Sequence, residues 1–256
     1  MILSHGLEGD SSRHYIKGMA KFLSENGYDI CAWNYRGCSG EVNIKLRTYH
    51  SGSTEDLETV VEKVSKTYDD IILVGFSMGG NLSLKYLGEQ KDPLKTKIKK
   101  CVVFSTPLDL KGSSITLEKP SNKIYMTKFL TSLKAKIKAK EEQFPSDISL
   151  KGYDTIKTFT QFDNRYTAPI NGFKNALDYY EKCASINFIK HIKIPTLIVN
   201  AKNDPFLSEG CYPMAICEKH EFVTLEMPLH GGHVGFFETG GVYYSEKRAL
   251  SFLKET

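Results

Sequence analysis

Ser77 sits at the centre of Gly75-Phe76-Ser77-Met78-Gly79, a G-x-S-x-G array able to present a serine as a nucleophile. A serine hydroxyl is weakly nucleophilic at neutral pH. It needs a base within hydrogen-bond reach, and the base needs an acid that fixes its tautomer. Two downstream residues suit those roles, in the order Ser77, Asp204, His233. Asp204 follows an apolar run, Ile194-Pro195-Thr196-Leu197-Ile198-Val199, and precedes Pro205, which stiffens its turn. His233 follows Gly231-Gly232, which gives it an adaptable loop. Asp109, just past another strand-like run, and Asp163 are rival acids, and His230 is a rival base. His14, His191 and His220 read as surface or helix residues.

These side chains meet only if strands and helices deliver them to one rim. Ile71-Ile72-Leu73-Val74 reads as a strand buried on both faces, with helical spacing beyond Gly80, so Ser77 lies in a strand-to-helix turn. Glycines two before and two after it fit a turn too tight for side chains. Further strands are expected at 1–4, 29–34, 100–105, 194–201 and 222–227. Helices are expected from Ser11 or Ser12 to Asn26-Gly27, from a Thr54 cap through Val64, and over 243–254. This alternation predicts an α/β fold with a mostly parallel sheet flanked by helices.

The rhythm breaks between Pro107 and Ile194, where helices are expected near 121–142, 147–162 and 172–189. The expected organisation is therefore a core of 1–106 and 195–256 with a helical lid inserted over 107–194. In its first helix Phe129, Leu130, Leu133 and Ile137 form an apolar stripe, while Lys128, Lys134, Lys136, Lys138 and Lys140 occupy much of the remainder. A solvated lysine face is the favoured reading, and weak contact with an anionic membrane surface is its competitor.

Bulk properties narrow the classes. The chain has 256 residues, 41% hydrophobic and 25% charged, with a formal net charge of +4. All but five of its 34 basic residues are lysine and no nucleic-acid motif is present, so no nucleic-acid partner is expected. No apolar run reaches the roughly 18 residues of a membrane span. Six scattered cysteines without a CxxC pair suggest a reduced, cytoplasmic chain, with Cys31 and Cys101 as small core residues. No metal-ligand spacing or cofactor motif occurs, and none is expected to be needed.

Several longer segments resemble the AB hydrolase 4 family of the α/β-hydrolase superfamily, which includes YheT-type esterases and abhydrolase-domain lipases. They are HGLEG (5–9), NYRGCSG (34–40), YHSG (49–52), GFSMGGNLSLKYLGE (75–89), FDNRYTAPINGF (162–173), IPTLIVNAKNDPF (194–206) and GGHVGF (231–236). The resemblance implies a Ser77, Asp204, His233 triad, with the Leu7 and Met78 N–H groups as oxyanion donors. It implies a carboxylesterase or lipase-like serine hydrolase acting on acyl esters, among them monoacylglycerols or phospholipids. Family members carry several dozen residues before HGLEG, so the first edge strands are expected to be missing here. A peroxidase or amidase using the same triad, and a ligand-binding protein on a hydrolase scaffold, are the alternative readings.

Overall fold

Successive residues of a strand face opposite sides of a sheet, so a strand apolar at every position must be covered on both. Leu3, Val74, Phe76, Val102, Phe104, Leu197 and Val199 pack into one cluster, and Ile2, Leu73, Val103 and Ile198 into another. The computed structural model describes residues 1–90 and 97–255. Its elements run β1 (Ile2–Ser4), α1 (His14–Glu25), β2 (Cys31–Ala32), α2 (Thr54–Ser65), β3 (Ile71–Phe76), α3 (Met78–Glu89) and β4 (Ile98–Phe104). Then come α4 (Leu110–Leu117), α5 (Lys123–Gln143), α6 (Phe159–Phe162), α7 (Ala168–Ile170) and α8 (Ala176–Cys183). β5 (Thr196–Val199), α9 (Met214–Cys217), β6 (Val223–Glu226) and α10 (Tyr244–Lys254) complete the chain.

The six described strands form one sheet in the order β2-β1-β3-β4-β5-β6, and every pairing is parallel. Tyr15, Ile16, Met19 and Leu23 of α1, with Ala249 and Phe252 of α10, cover one face. Leu57 and Val61 of α2 and Leu82 of α3 cover the other. Burying each such side chain is worth about 2 kcal/mol relative to exposure. The parallel order places the C-terminal ends of β1, β3, β4, β5 and β6 along one edge, and the loops leaving that edge carry the candidate site.

Several local expectations are corrected. Neither Ser11 nor Ser12 caps α1. Their N–H groups go to the Asn34 and Asp10 side chains, so they build the preceding turn and Arg13 occupies the N-cap. Ser53, not Thr54, is the N-cap of α2, and the Thr54 hydroxyl bonds Glu89 instead. β2 is shorter than 29–34 because only Cys31 and Ala32 pair with β1, as the edge strand.

Between β4 and β5, no helix spans 147–162. Gly152 takes φ of 76°, a 3₁₀ turn follows at Tyr153–Thr155, and Thr158 caps the one-turn α6 by accepting from Gln161 N–H. A π-helical segment, Asp163–Thr167, then leads into α7. The 172–189 region contains α8 and two 3₁₀ turns, because the Ser185 N–H is captured by Asn81. α4 lies in a stretch where the sequence predicts no helix. Leu117, Met126, Leu130, Leu133, Ile137, Phe159, Phe162 and Tyr166 share an apolar cluster that also takes in Phe206 from the loop after β5.

The lysine-rich helix α5 departs from a uniformly wet face. Lys128 and Lys138 are exposed, but Lys140 is buried and donates to the carbonyls of Asn43 and Lys45. Lys136 turns inward to Glu8. Lys140 extends the helical spacing of Met126, Leu130, Leu133 and Ile137, so a cation occupies what spacing alone assigns to the apolar stripe. Among the described residues, no helix is long and apolar enough to cross a membrane.

Candidate active site

Ser77 links β3 to α3 with φ of 54° and ψ of −119°, a conformation costly for any residue with a Cβ. The turn is tight enough to require glycines. A Cβ on Gly79 would stand 2.3 Å from the Ser4 carbonyl oxygen, and one on Gly75 would stand 2.6 Å from that of Gly79. The reward is an outward-facing hydroxyl. Its Oγ lies 3.0 Å from His233 Nε2, and His233 Nδ1 lies 3.0 and 3.1 Å from the two Asp204 oxygens. With Nδ1–H donating to Asp204, Nε2 is left to accept the serine proton. The Asp204 side chain is fully buried, and Oδ1 also accepts from the Phe206 N–H at 3.0 Å.

Neighbouring loops hold this geometry. Asn203 Oδ1 accepts from the N–H groups of Gly231 and Gly232 at 3.0 and 2.9 Å, tying the Asp204 loop to the His233 loop. Ser105, at the end of β4 with φ of 51°, accepts from the Val234 N–H at 2.9 Å. The Phe206 ring lies 4.1 Å, centroid to centroid, from the His233 ring. Asn203 and Ser105 escaped the sequence reading, although Asn203 directly precedes the acid.

Beside Ser77 runs the 5–9 loop. A Cβ on Gly6 would come within 3.2 Å of the Ser77 Cβ, so glycine lets this backbone approach the serine. Among the described residues the Leu7 and Met78 N–H groups have no hydrogen-bond acceptor, and both residues line the cavity in front of Ser77. Gly6 N–H donates to Tyr15, and the buried His5 ring contacts the Gly6 carbonyl at 2.8 Å. Burial lowers the His5 pKa to about 4, keeping the ring neutral at physiological pH.

The rivals take no part in the Ser77–His233–Asp204 contact. Asp109 caps α4, accepting from the Gly112 N–H and the Ser208 hydroxyl. His230 is exposed. Asp163 lines the same cavity but accepts from the Tyr180 hydroxyl at 2.7 Å rather than facing His233. Burial pushes the Asp163 pKa up to about 6. The folded chain therefore retains this proton between the ordinary value of 3.8 and about 6, so its stabilising contribution is lost as pH rises through 6. Asp163→Asn, which removes the buried charge, is expected to gain stability over the parent by up to about 3 kcal/mol at pH 8. Urea unfolding of both chains at pH 4 and pH 8 checks this, and the gap should shrink toward pH 4.

The cavity holds about 160 Å³ of accessible space. Leu7, Met78, Leu110, Phe129, Leu133 and Phe159 give it largely apolar walls, several of them from the segment between β4 and β5. Among the described residues no group of three His, Cys, Asp or Glu side chains could hold a metal ion. All six cysteines are free; Cys101 is fully buried, whereas Cys31 is partly exposed at the edge strand.

Comparison with known proteins places the chain. The family profile described as the alpha/beta hydrolase fold matches residues 1–239. YheT of Escherichia coli, named as a candidate esterase, is 32% identical over 92% of this chain and 70% of its own length. Phospholipase ABHD3 of Mus musculus is 34% identical over 93% of this chain and 58% of its own. Monoacylglycerol lipase of Saccharomyces cerevisiae is 29% identical over 96% and 57%. The chain thus spans little more than half the length of the latter two. The Pyrococcus furiosus esterase Pf2001 superposes with a TM-score of 0.64 at 20% identity, covering 99% of this chain and 80% of that one, a likeness of fold alone. With a parallel sheet, a serine at the strand-to-helix elbow and a matched profile over most of its length, the chain belongs to the α/β-hydrolase family.

Proposed function

We propose that this chain is a serine hydrolase of carboxylic esters, with Ser77 as nucleophile, His233 as general base and acid, and Asp204 as the group orienting the imidazole. The observation that carries the reading is the continuous contact from Ser77 Oγ through His233 to the buried Asp204 carboxylate. Ser77 Oγ attacks the acyl carbon as its proton passes to His233 Nε2. The Leu7 and Met78 N–H groups stabilise the oxyanion. The leaving alkoxide takes the proton from His233, and an acyl group remains on Ser77. Water, deprotonated by His233, then attacks this ester and releases the carboxylic acid and the free serine.

Residues 107–194 act as a lid over a core formed by 1–106 and 195–256, since side chains of α4, α5 and α6 line the cavity beside Ser77. Apolar walls suit an acyl chain, and relatives named phospholipase and monoacylglycerol lipase favour a lipid-derived ester. The decisive experiment is labelling with a fluorophosphonate probe, which phosphonylates an activated serine. Mass spectrometry should find the adduct on Ser77 in the parent chain and none in Ser77→Ala. A parent chain left unlabelled would instead favour a binding protein on a hydrolase scaffold.

A further inference from the structure

Glu8 directly follows the N–H that the proposed mechanism aims at the oxyanion, and it is an unexpected residue for its backbone. Its φ is 54°, in the left-handed region where glycine is favoured and a side chain is strained. Such strain persists only where the surroundings over-determine the conformation. They do so here. The Glu8 side chain is 5% exposed, and its carboxylate accepts from the Tyr49 and Ser132 hydroxyls and pairs with Lys136 Nζ at 2.8 Å. The Glu8 N–H donates to the Tyr49 hydroxyl at 3.0 Å, and its carbonyl accepts from Arg13 Nη2 at 2.7 Å. Lys136 is itself confined, 4.6 Å over the Tyr49 ring and 3.0 Å from Cys38 Sγ.

The provenance of these partners matters. Tyr49 and Arg13 belong to the sheet-bearing part of the chain, whereas Ser132 and Lys136 project from α5. Both groups converge on one carboxylate, and that carboxylate fixes the residue next to Leu7. It locks the Leu7–Glu8 peptide and so restrains the Leu7 backbone whose N–H, on the preceding Gly6–Leu7 peptide, is the proposed donor. We propose that Glu8 is a positioning residue for the oxyanion hole, and that α5, through Ser132 and Lys136, completes the hole by fixing it. The inference rests on the serine-hydrolase reading above. An ordinary buried ion pair would do no more than anchor α5. A positioning role predicts in addition that losing it harms the transition state and spares the bound ground state.

That difference is measurable in the full chain with a p-nitrophenyl ester. Glu8→Gln keeps the size and removes the charge. It should lower kcat by about 10-fold, and Glu8→Ala by on the order of 100-fold, the lower end of the loss when an oxyanion-hole donor is removed outright. KM should stay within about twofold. A trifluoromethyl ketone, which adds to Ser77 and leaves its oxyanion in the hole, should bind more weakly by the same factor as kcat falls. The corresponding alcohol, which fills the cavity without an oxyanion, should bind unchanged. Lys136→Met should shift kcat and ketone binding in the same direction.

Unchanged kcat and ketone affinity in Glu8→Gln would overturn the inference. So would a kcat loss matched by equal weakening of the alcohol, or a Glu8→Gln chain that does not fold. Should Glu8→Ala alone fail to fold, Glu8→Gln and Lys136→Met decide. An inactive Ser77→Ala beside fully active Glu8 variants defeats this inference and leaves the hydrolase reading standing. An active Ser77→Ala defeats the hydrolase reading itself.

Discussion

Ser77→Ala is expected to lose about a millionfold in ester turnover, the scale on which serine hydrolases depend on their nucleophile. The substitution deletes one oxygen. That oxygen is the atom 3.0 Å from His233 Nε2, so the base keeps its place but has no hydroxyl to deprotonate. Alanine has the same Cβ as serine, so the strained φ of 54° is neither relieved nor worsened. Cavity walls and flanking glycines are untouched, and the fold should survive. Turnover of a p-nitrophenyl ester, read beside circular dichroism, checks both parts. Persistent turnover in a folded Ser77→Ala chain would remove Ser77 from the chemistry.

A second large effect concerns acid. His5 and His50 are buried, with 1% and 7% of their surface exposed, and burial lowers their pKa values to about 4 and about 3. His50 Nδ1 accepts the Gly52 N–H at 3.1 Å, a bond that protonation at that nitrogen destroys. The unfolded chain takes up both protons near 6.5, and the folded chain resists until the lower values. Stability is therefore full above 6.5 and falls as pH drops toward 4. Between pH 7 and 4.5 each histidine costs on the order of 3 kcal/mol, against a typical total of about 5–15. Asp163 acts in the opposite sense by regaining its proton below 6, but two groups outweigh one. Urea midpoints should fall across this window. His50→Asn, which retains an acceptor for Gly52, should fall less steeply, and a flat parent profile would contradict the account.

How far the sequence alone could be read depended on how local the physics is. The elbow was legible because a buried strand, its glycines and the following helix are contiguous between Ile71 and Leu87. Asp204 and His233 were legible as residues just past strands, where a parallel order gathers loops at one edge. Core positions of α1 and α2 followed from helical spacing, and α10 was legible as a helix near 243–254. What stayed hidden depends on partners distant in the chain. Asn203 acts on backbone donors 28 and 29 residues away, and Glu8 on side chains up to 128 residues away. Lys140 looked solvent-facing because lysine usually is, but carbonyls of the 43–45 loop accept its protons inside. The 147–162 stretch does not continue as a helix because Gly152 takes the left-handed region, although Ile148, Tyr153, Ile156, Phe159 and Phe162 still gather in one apolar cluster.

Phe206 belongs to two neighbourhoods at once. Its N–H steadies Asp204 and its ring shields His233, while the same ring packs among the apolar side chains of the overlying helices. The helices between β4 and β5 and the Asp204–His233 pair thus share one side chain, so removing those helices would also remove the packing that holds Phe206. Excising them would leave the Phe206 ring bare beside the imidazole and open the buried Asp204 carboxylate to solvent competition for its partners.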